Sequence, residues 1–206
     1  RPMIENSRAT NQEARFEVVL QKLIDQFKIP LNGETTLKKL LEIYYLEVYS
    51  ERKLYPEVVS VLKFFKDKGV RMGVVSNTTN PGFMKENEME ASGLKPFFEF
   101  AIYSSNTPYR KPHPSIFNLA IESLSLEPAE ILFVGDNFAL DVVGAKDVGM
   151  KSAWVNREHK NIPKLSSLGT LLDAYIIKND IGREVNIWNE SEYYTEFLKS
   201  KNIIGE

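Results

Sequence analysis

The stretch ILFVGDNFALDVVGAK, residues 131–146, passes from apolar to acidic within six residues and then turns amphipathic. Its opening has the near-continuous apolar character of a strand buried on both faces, with Asp136 at the tip. Asp141 follows in the loop or first turn of a helix that starts near Leu140. On these residues alone two readings stay open. Aspartate is favoured at helix starts, where its side chain accepts from free backbone N–H groups and complements the macrodipole. A tight strand-to-helix reversal would also bring both carboxylates toward one point, and hard oxygen ligands of this type suit Mg2+.

Outward from this segment, short apolar runs alternate with helical patterns. Strands are predicted at VRMGVVSN (70–77), FEFAIYSS (98–105), ILFVGDN (131–137), KSAWVN (151–156) and DAYIIKN (173–179). Between them lie a helix opened by Pro56 and closed by Gly69, one opened by Pro114, and one from near Leu140 to Gly149. This alternation predicts an α/β fold, a three-layer Rossmann-like parallel sheet covered on both faces. Before Leu54, apolar residues recur at helical spacing, first Phe16, Val19, Leu20, Leu23, Ile24 and Phe27. After a break at Pro30–Gly33 the pattern resumes with Leu37, Leu40, Leu41, Tyr44 and Val48. The expected division is a helical subdomain over 1–53 and a core over 54–206. The tail WNESEYYTEFLKSKN is predicted to form a last helix with Tyr194, Phe197 and Leu198 inward.

The 206 residues are 43% hydrophobic, enough for a sizeable core. Lys and Arg total 26 against 28 Asp and Glu, a net charge of −2, which gives no field favouring nucleic acid or a membrane surface. No run approaches the roughly 18 apolar residues of a membrane span and no signal peptide is visible, so a cytoplasmic location is expected. The absence of cysteine excludes disulfides, thiolate zinc sites and cysteine nucleophiles. His113, flanked by prolines, and His159, in REHK, read as loop residues. Arg1 is an unusual first residue, and something is expected to precede it.

Ligands of open parallel sheets gather at the carboxyl ends of the strands. There stand Ser76 and Asn77 after the first predicted strand and Asp136 after the third. The loop TPYRKPHPSIF carries Arg110 and Lys111, restricted by Pro108, Pro112 and Pro114. Each has a plain alternative. Ser76 could satisfy local backbone groups, Lys111 could be an ordinary solvated lysine, and Gly135 and Gly144 could serve only a turn and close helix–sheet packing.

Taken in order, SNTT, RKPHPSIF and VGDNFALD resemble motifs two, three and four of the haloacid dehalogenase superfamily, over roughly residues 54–180. The preceding helical pair looks like that family's small cap. The resemblance implies a Mg2+-dependent phosphatase acting through an aspartyl-phosphate on a small phosphorylated metabolite. In that reading Ser76, with the backbone N–H of Asn77, binds the transferred phosphoryl group and Lys111 neutralises charge. Asp136 ligates magnesium and Asp141 supports the metal shell. The family's first motif, an Asp-x-Asp that supplies nucleophile and general acid/base, occurs nowhere here, and Asp25 in LIDQFK lies within a helix. The first motif is therefore expected upstream in the parent protein, on the strand that the resemblance puts between those ending in Ser76 and Asp136. Two other functions remain in view. One is a non-catalytic binding or regulatory module, the other a haloacid dehalogenase, although dehalogenases need no magnesium and the acidic pair favours phosphate chemistry.

Overall fold

All five apolar runs become parallel strands: β1 (Gly73–Ser76), β2 (Phe100–Tyr103), β3 (Leu132–Gly135), β4 (Lys151–Asn156) and β5 (Ala174–Lys178). The computed structural model describes residues 9–33, 35–50, 53–157 and 174–178. His159 and the predicted tail helix lie outside the described residues. Two compact units divide the chain, Arg1–Arg110 and Lys111–Glu206. Each contains its own sheet, ordered β1-β2 in the first and β3-β4-β5 in the second.

In the first unit the predicted helical pair forms α1 (Phe16–Gln26) and α2 (Leu37–Ser50), followed by α3 (Val58–Asp67). Gly69 follows α3 at φ +72, the left-handed conformation that costs glycine least. A helix the sequence pattern hides, α4 (Gly82–Ala91), lies between β1 and β2. Glu86, Glu88 and Glu90 interrupt its apolar spacing, so no stripe announces it. Its Met84 is buried with Leu41 and Tyr45 of α2, and Phe16, Leu20 and Leu37 pack around them. The Tyr45 hydroxyl donates to the Glu88 carboxylate, which also pairs with Lys85, tying α2 to α4. The apolar face of α1 is only partly covered, for Ile24 is buried while Leu23 and Phe27 are exposed.

The β1/β2 register sets Gly73 opposite Phe100 and Ser76 opposite Tyr103. A Cβ on Gly73 would stand 2.1 Å from the Phe100 ring, so glycine here gives the ring its bed. At the strand starts Arg71 grips Glu99 through Nε and Nη2. Tyr103 is buried, and that burial, reinforced by the carboxylate of Glu86, pushes its phenol well above the ordinary tyrosine range.

The second unit opens with α5 (Pro114–Leu124). Proline occupies its first turn, and the His113 ring accepts from the Ser115 backbone N–H at 3.2 Å, which is a cap rather than a catalytic contact. Ile116, Phe117, Ala120 and Leu124 form its buried face. The Phe117 ring meets Phe133 of β3 edge to face at 5.1 Å, joining helix to sheet. The helix predicted from Leu140 begins earlier and differently. A π-helical turn covers Phe138–Val143 and runs into a short α6 (Gly144–Asp147). Such wide turns recur at functional sites. Phe138 and Val142 bury Trp154 of β4, whose indole N–H donates to the Asp136 carbonyl at 3.0 Å.

Gly144 lets this turn approach α5. A Cβ there would stand 2.8 Å from Cζ of the fully buried Phe117 and 3.0 Å from Cβ of Pro112. Gly→Ala within a helix usually stabilises by up to about 1 kcal/mol. Here the sign reverses, and Gly144→Ala is expected to destabilise the protein by about 1–3 kcal/mol through overpacking, as measured by urea denaturation.

Candidate functional site

The strand-to-helix crossing after β3 is built around one buried carboxylate. Asp141 sits inside the π-helical turn and is 4% exposed. Its Oδ2 accepts from the Asn137 backbone N–H at 2.9 Å. Gly135 supplies the floor, since a Cβ at that position would lie 2.4 Å from the same oxygen. Asp141 thus also serves the helix start, accepting from the backbone N–H of the N-cap residue. The cap is Asn137, whose side chain accepts from the Leu140 N–H at 3.0 Å. Asp141 binds backward to the strand end.

The countercharge is Lys111. Its Nζ lies 2.7 Å from Asp141 Oδ1 and 5.1 Å from the centroid of the Phe133 ring. The lysine is 9% exposed, so it is not an ordinary solvated side chain. Pro112, joined to Lys111 by a cis peptide bond, and Pro114 restrict the loop that delivers it. Oδ1 is buried, and the 2.7 Å contact makes the Lys111 ammonium its partner. Asp136, by contrast, is exposed at the strand tip, where its carbonyl accepts from the Trp154 indole N–H.

These two carboxylates match magnesium in kind. Both are hard oxygen donors; Asp136 faces solvent, while Asp141 directs Oδ1 at the Lys111 ammonium and Oδ2 at the Asn137 N–H. Magnesium commonly takes only one or two protein carboxylates and fills its other positions with water and phosphate. Among the described residues no group of three or more His, Cys, Asp or Glu side chains is placed to hold a metal.

Ser76 and Asn77 belong to the first unit, half-buried at the carboxyl end of β1. The polar network beside them was not legible in the sequence. The Glu13 side chain, 1% exposed, accepts from the Ser104 hydroxyl and pairs with Arg110 Nη1 at 3.2 Å. Ser104 Oγ accepts from the Thr78 N–H at 2.8 Å. Thr107 donates to the Tyr109 carbonyl at 2.7 Å. Glu13 stands 91 residues from Ser104 and 97 from Arg110 in a stretch without a motif, so no local signal could reveal it.

A model of the haloacid dehalogenase-like hydrolases matches residues 5–155, most of the chain. The chain belongs to this family. Glyceraldehyde 3-phosphate phosphatase of Pyrococcus abyssi is 32% identical over 145 residues, 70% of this chain and 58% of that protein. Haloacetate dehalogenase H-2 of a Moraxella species is 32% identical over 111 residues, covering 54% and 48% respectively. A crystal structure of a HAD phosphatase from Thermococcus onnurineus aligns with TM-score 0.56 at 30% identity, covering 76% of this chain and 65% of that one. The chain thus spans about half the length of the curated relatives it matches. The α/β architecture with parallel strands is that of the family's Rossmann-like fold. Among the described residues no helix is long and apolar enough to cross a membrane.

Lys111→Met would leave Asp141 buried without its countercharge and is expected to cost about 3 kcal/mol or more. Adding Asp141→Asn should return much of that loss, because no uncompensated charge then remains. Urea denaturation of the two single variants and the double variant closes the cycle.

Proposed function

We propose that the complete protein is a magnesium-dependent phosphatase of small phosphorylated metabolites. The observation that carries this reading is the buried Lys111–Asp141 pair beside the exposed Asp136, cation and acids fixed on a rigid strand end. Phosphoryl transfer demands little covalent chemistry from side chains other than the nucleophile. It demands positive charge and donors held around the equatorial oxygens. The family membership and the relatives that are phosphatases support the same class.

In this proposal Ser76 and the backbone N–H of Asn77 donate to the phosphoryl oxygens. Lys111 neutralises charge that develops there, and its position is held by Asp141. Asp136 would ligate Mg2+ and Asp141 would support the metal shell. The ion, when bound, supplies Lewis-acid stabilisation of a phosphoryl oxygen. The nucleophile is an aspartate outside this sequence, which contains no Asp-x-Asp. Two features of the sheets agree with that assignment. Among the described residues β1 pairs only with β2 and β3 only with β4, and Val134 of β3 remains 52% exposed. Each strand has an edge able to receive a further strand.

Haloacetate dehalogenase H-2 among the relatives keeps carbon–halogen cleavage as the competing activity. The full-length protein is expected to hydrolyse p-nitrophenyl phosphate with magnesium and to stop when EDTA is added. Asp136→Asn should lower the rate by about a hundredfold or more. Hydrolysis indifferent to EDTA, or turnover of 2-haloacids alone, would reject the proposal.

A further inference from the structure

Both strand-end loops of the first unit meet the segment that leads into α1. The backbone of that segment is clipped at two points, with Phe16 N–H donating to the Thr79 carbonyl at 2.8 Å and Arg110 N–H to the Asn11 carbonyl at 2.7 Å. Between the clips, Glu13 directs its buried carboxylate inward to the Ser104 hydroxyl and the Arg110 guanidinium. Ser104 is itself fully buried.

A hydroxyl has one proton to give. Ser104 Oγ lies in contact with Glu13 Oε2 and 3.3 Å from the Thr78 carbonyl, and it also receives the Thr78 N–H at 2.8 Å. A carboxylate is the stronger acceptor, so the Ser104 O–H donates to Glu13 and a Ser104 lone pair is oriented toward the Thr78 amide. Without Glu13, that proton turns to the Thr78 carbonyl and the oxygen loses its fixed orientation. The Thr78 hydroxyl in turn accepts from the Asn80 N–H at 3.1 Å. The whole turn after β1 therefore takes its geometry from a residue more than sixty positions upstream.

We propose that Glu13 is a positioning residue, acting through Ser104 to set the backbone of the turn that begins at Ser76 and Asn77. The functional part rests on the phosphatase reading, in which that backbone presents donors to the phosphoryl group. The geometric part does not. A mispositioned donor slows the chemical step more than it weakens substrate binding when the contact matures in the transition state.

Two measurements test the inference. The first is hydrogen exchange of the Thr78 amide by NMR on the full-length protein and on Glu13→Ala, Glu13→Gln and Ser104→Ala variants. The second is kcat and KM for p-nitrophenyl phosphate on the same proteins, well below their melting temperatures. Glu13→Ala is expected to speed Thr78 exchange by about tenfold or more. It should lower kcat by a similar factor and leave KM within about twofold. Glu13→Gln should recover part of both, since its amide still reaches Ser104. Ser104→Ala, which spares the Glu13–Arg110 pair, should reproduce the loss and decides the matter if Glu13→Ala does not fold. Unchanged Thr78 exchange in the folded variants would overturn the proposal outright. Faster exchange with unchanged kcat would overturn the positioning role and leave a structural clip. If the unsubstituted protein hydrolyses no phosphate ester, the functional reading fails by itself, and the exchange data still decide whether Glu13 governs the turn.

Discussion

The second unit is arranged around one buried charge pair. An isolated ammonium or carboxylate in that position would cost several kcal/mol in lost hydration, so Lys111 and Asp141 must come together or not be buried at all. The 2.7 Å contact satisfies this requirement, and the surroundings follow from it. Gly135 has no side chain because the carboxylate lies where a Cβ would be. The Asn137 N–H points at Oδ2, and the Phe133 ring lies beneath the ammonium. The π-helical turn brings Asp141 back over the strand end while Asn137 takes the capping duty. Such pairs add little net stability over apolar replacements of the same shape. Their value lies in the fixed placement of charge, which the proposed phosphoryl chemistry would use.

A second buried carboxylate plays a comparable part in the first unit. Glu13 is compensated by Arg110 and by the Ser104 hydroxyl; it joins the segment before α1 to the stretch after β2 and, through Ser104, to the turn after β1. In both units the polar clusters gather at the carboxyl ends of parallel strands, where side chains and backbone donors leave the sheet together. The apolar contacts that hold these ends in place are ordinary core packing. Phe117 on Phe133 fastens α5 to β3, and Phe100 on Gly73 fastens β2 to β1.

Strand-buried runs and proline-opened helices were legible because their signals are local. ILFVGDN, FEFAIYSS and KSAWVN carry enough apolar density to read as strands without knowledge of their partners. Helix α4 was missed because three glutamates mask the one deeply buried side chain, Met84, that anchors it. The helix after β3 was expected as a plain α-helix from Leu140. Its first turn is widened, a choice made by Asp141 binding backward rather than by residue propensity.

Among the site residues, Ser76, Asn77, Lys111, Asp136 and Asp141 stood out in the chain because each borders a strand or a proline-pinned loop. The ordered motifs that carry them, SNTT, RKPHPSIF and VGDNFALD, give the family resemblance, and the match over residues 5–155 bears it out. Sequence alone thus determined the α/β class, the family and the inventory of reactive groups, all properties of short contiguous segments. Tertiary structure decided that Lys111 is buried rather than solvated, that Asn137 is the N-cap with Asp141 accepting from its backbone N–H, and that Glu13 belongs with Ser104 and Arg110. Those outcomes depend on desolvation and on contacts across tens of residues, and a charge's burial cannot be read until the groups that surround it are assembled.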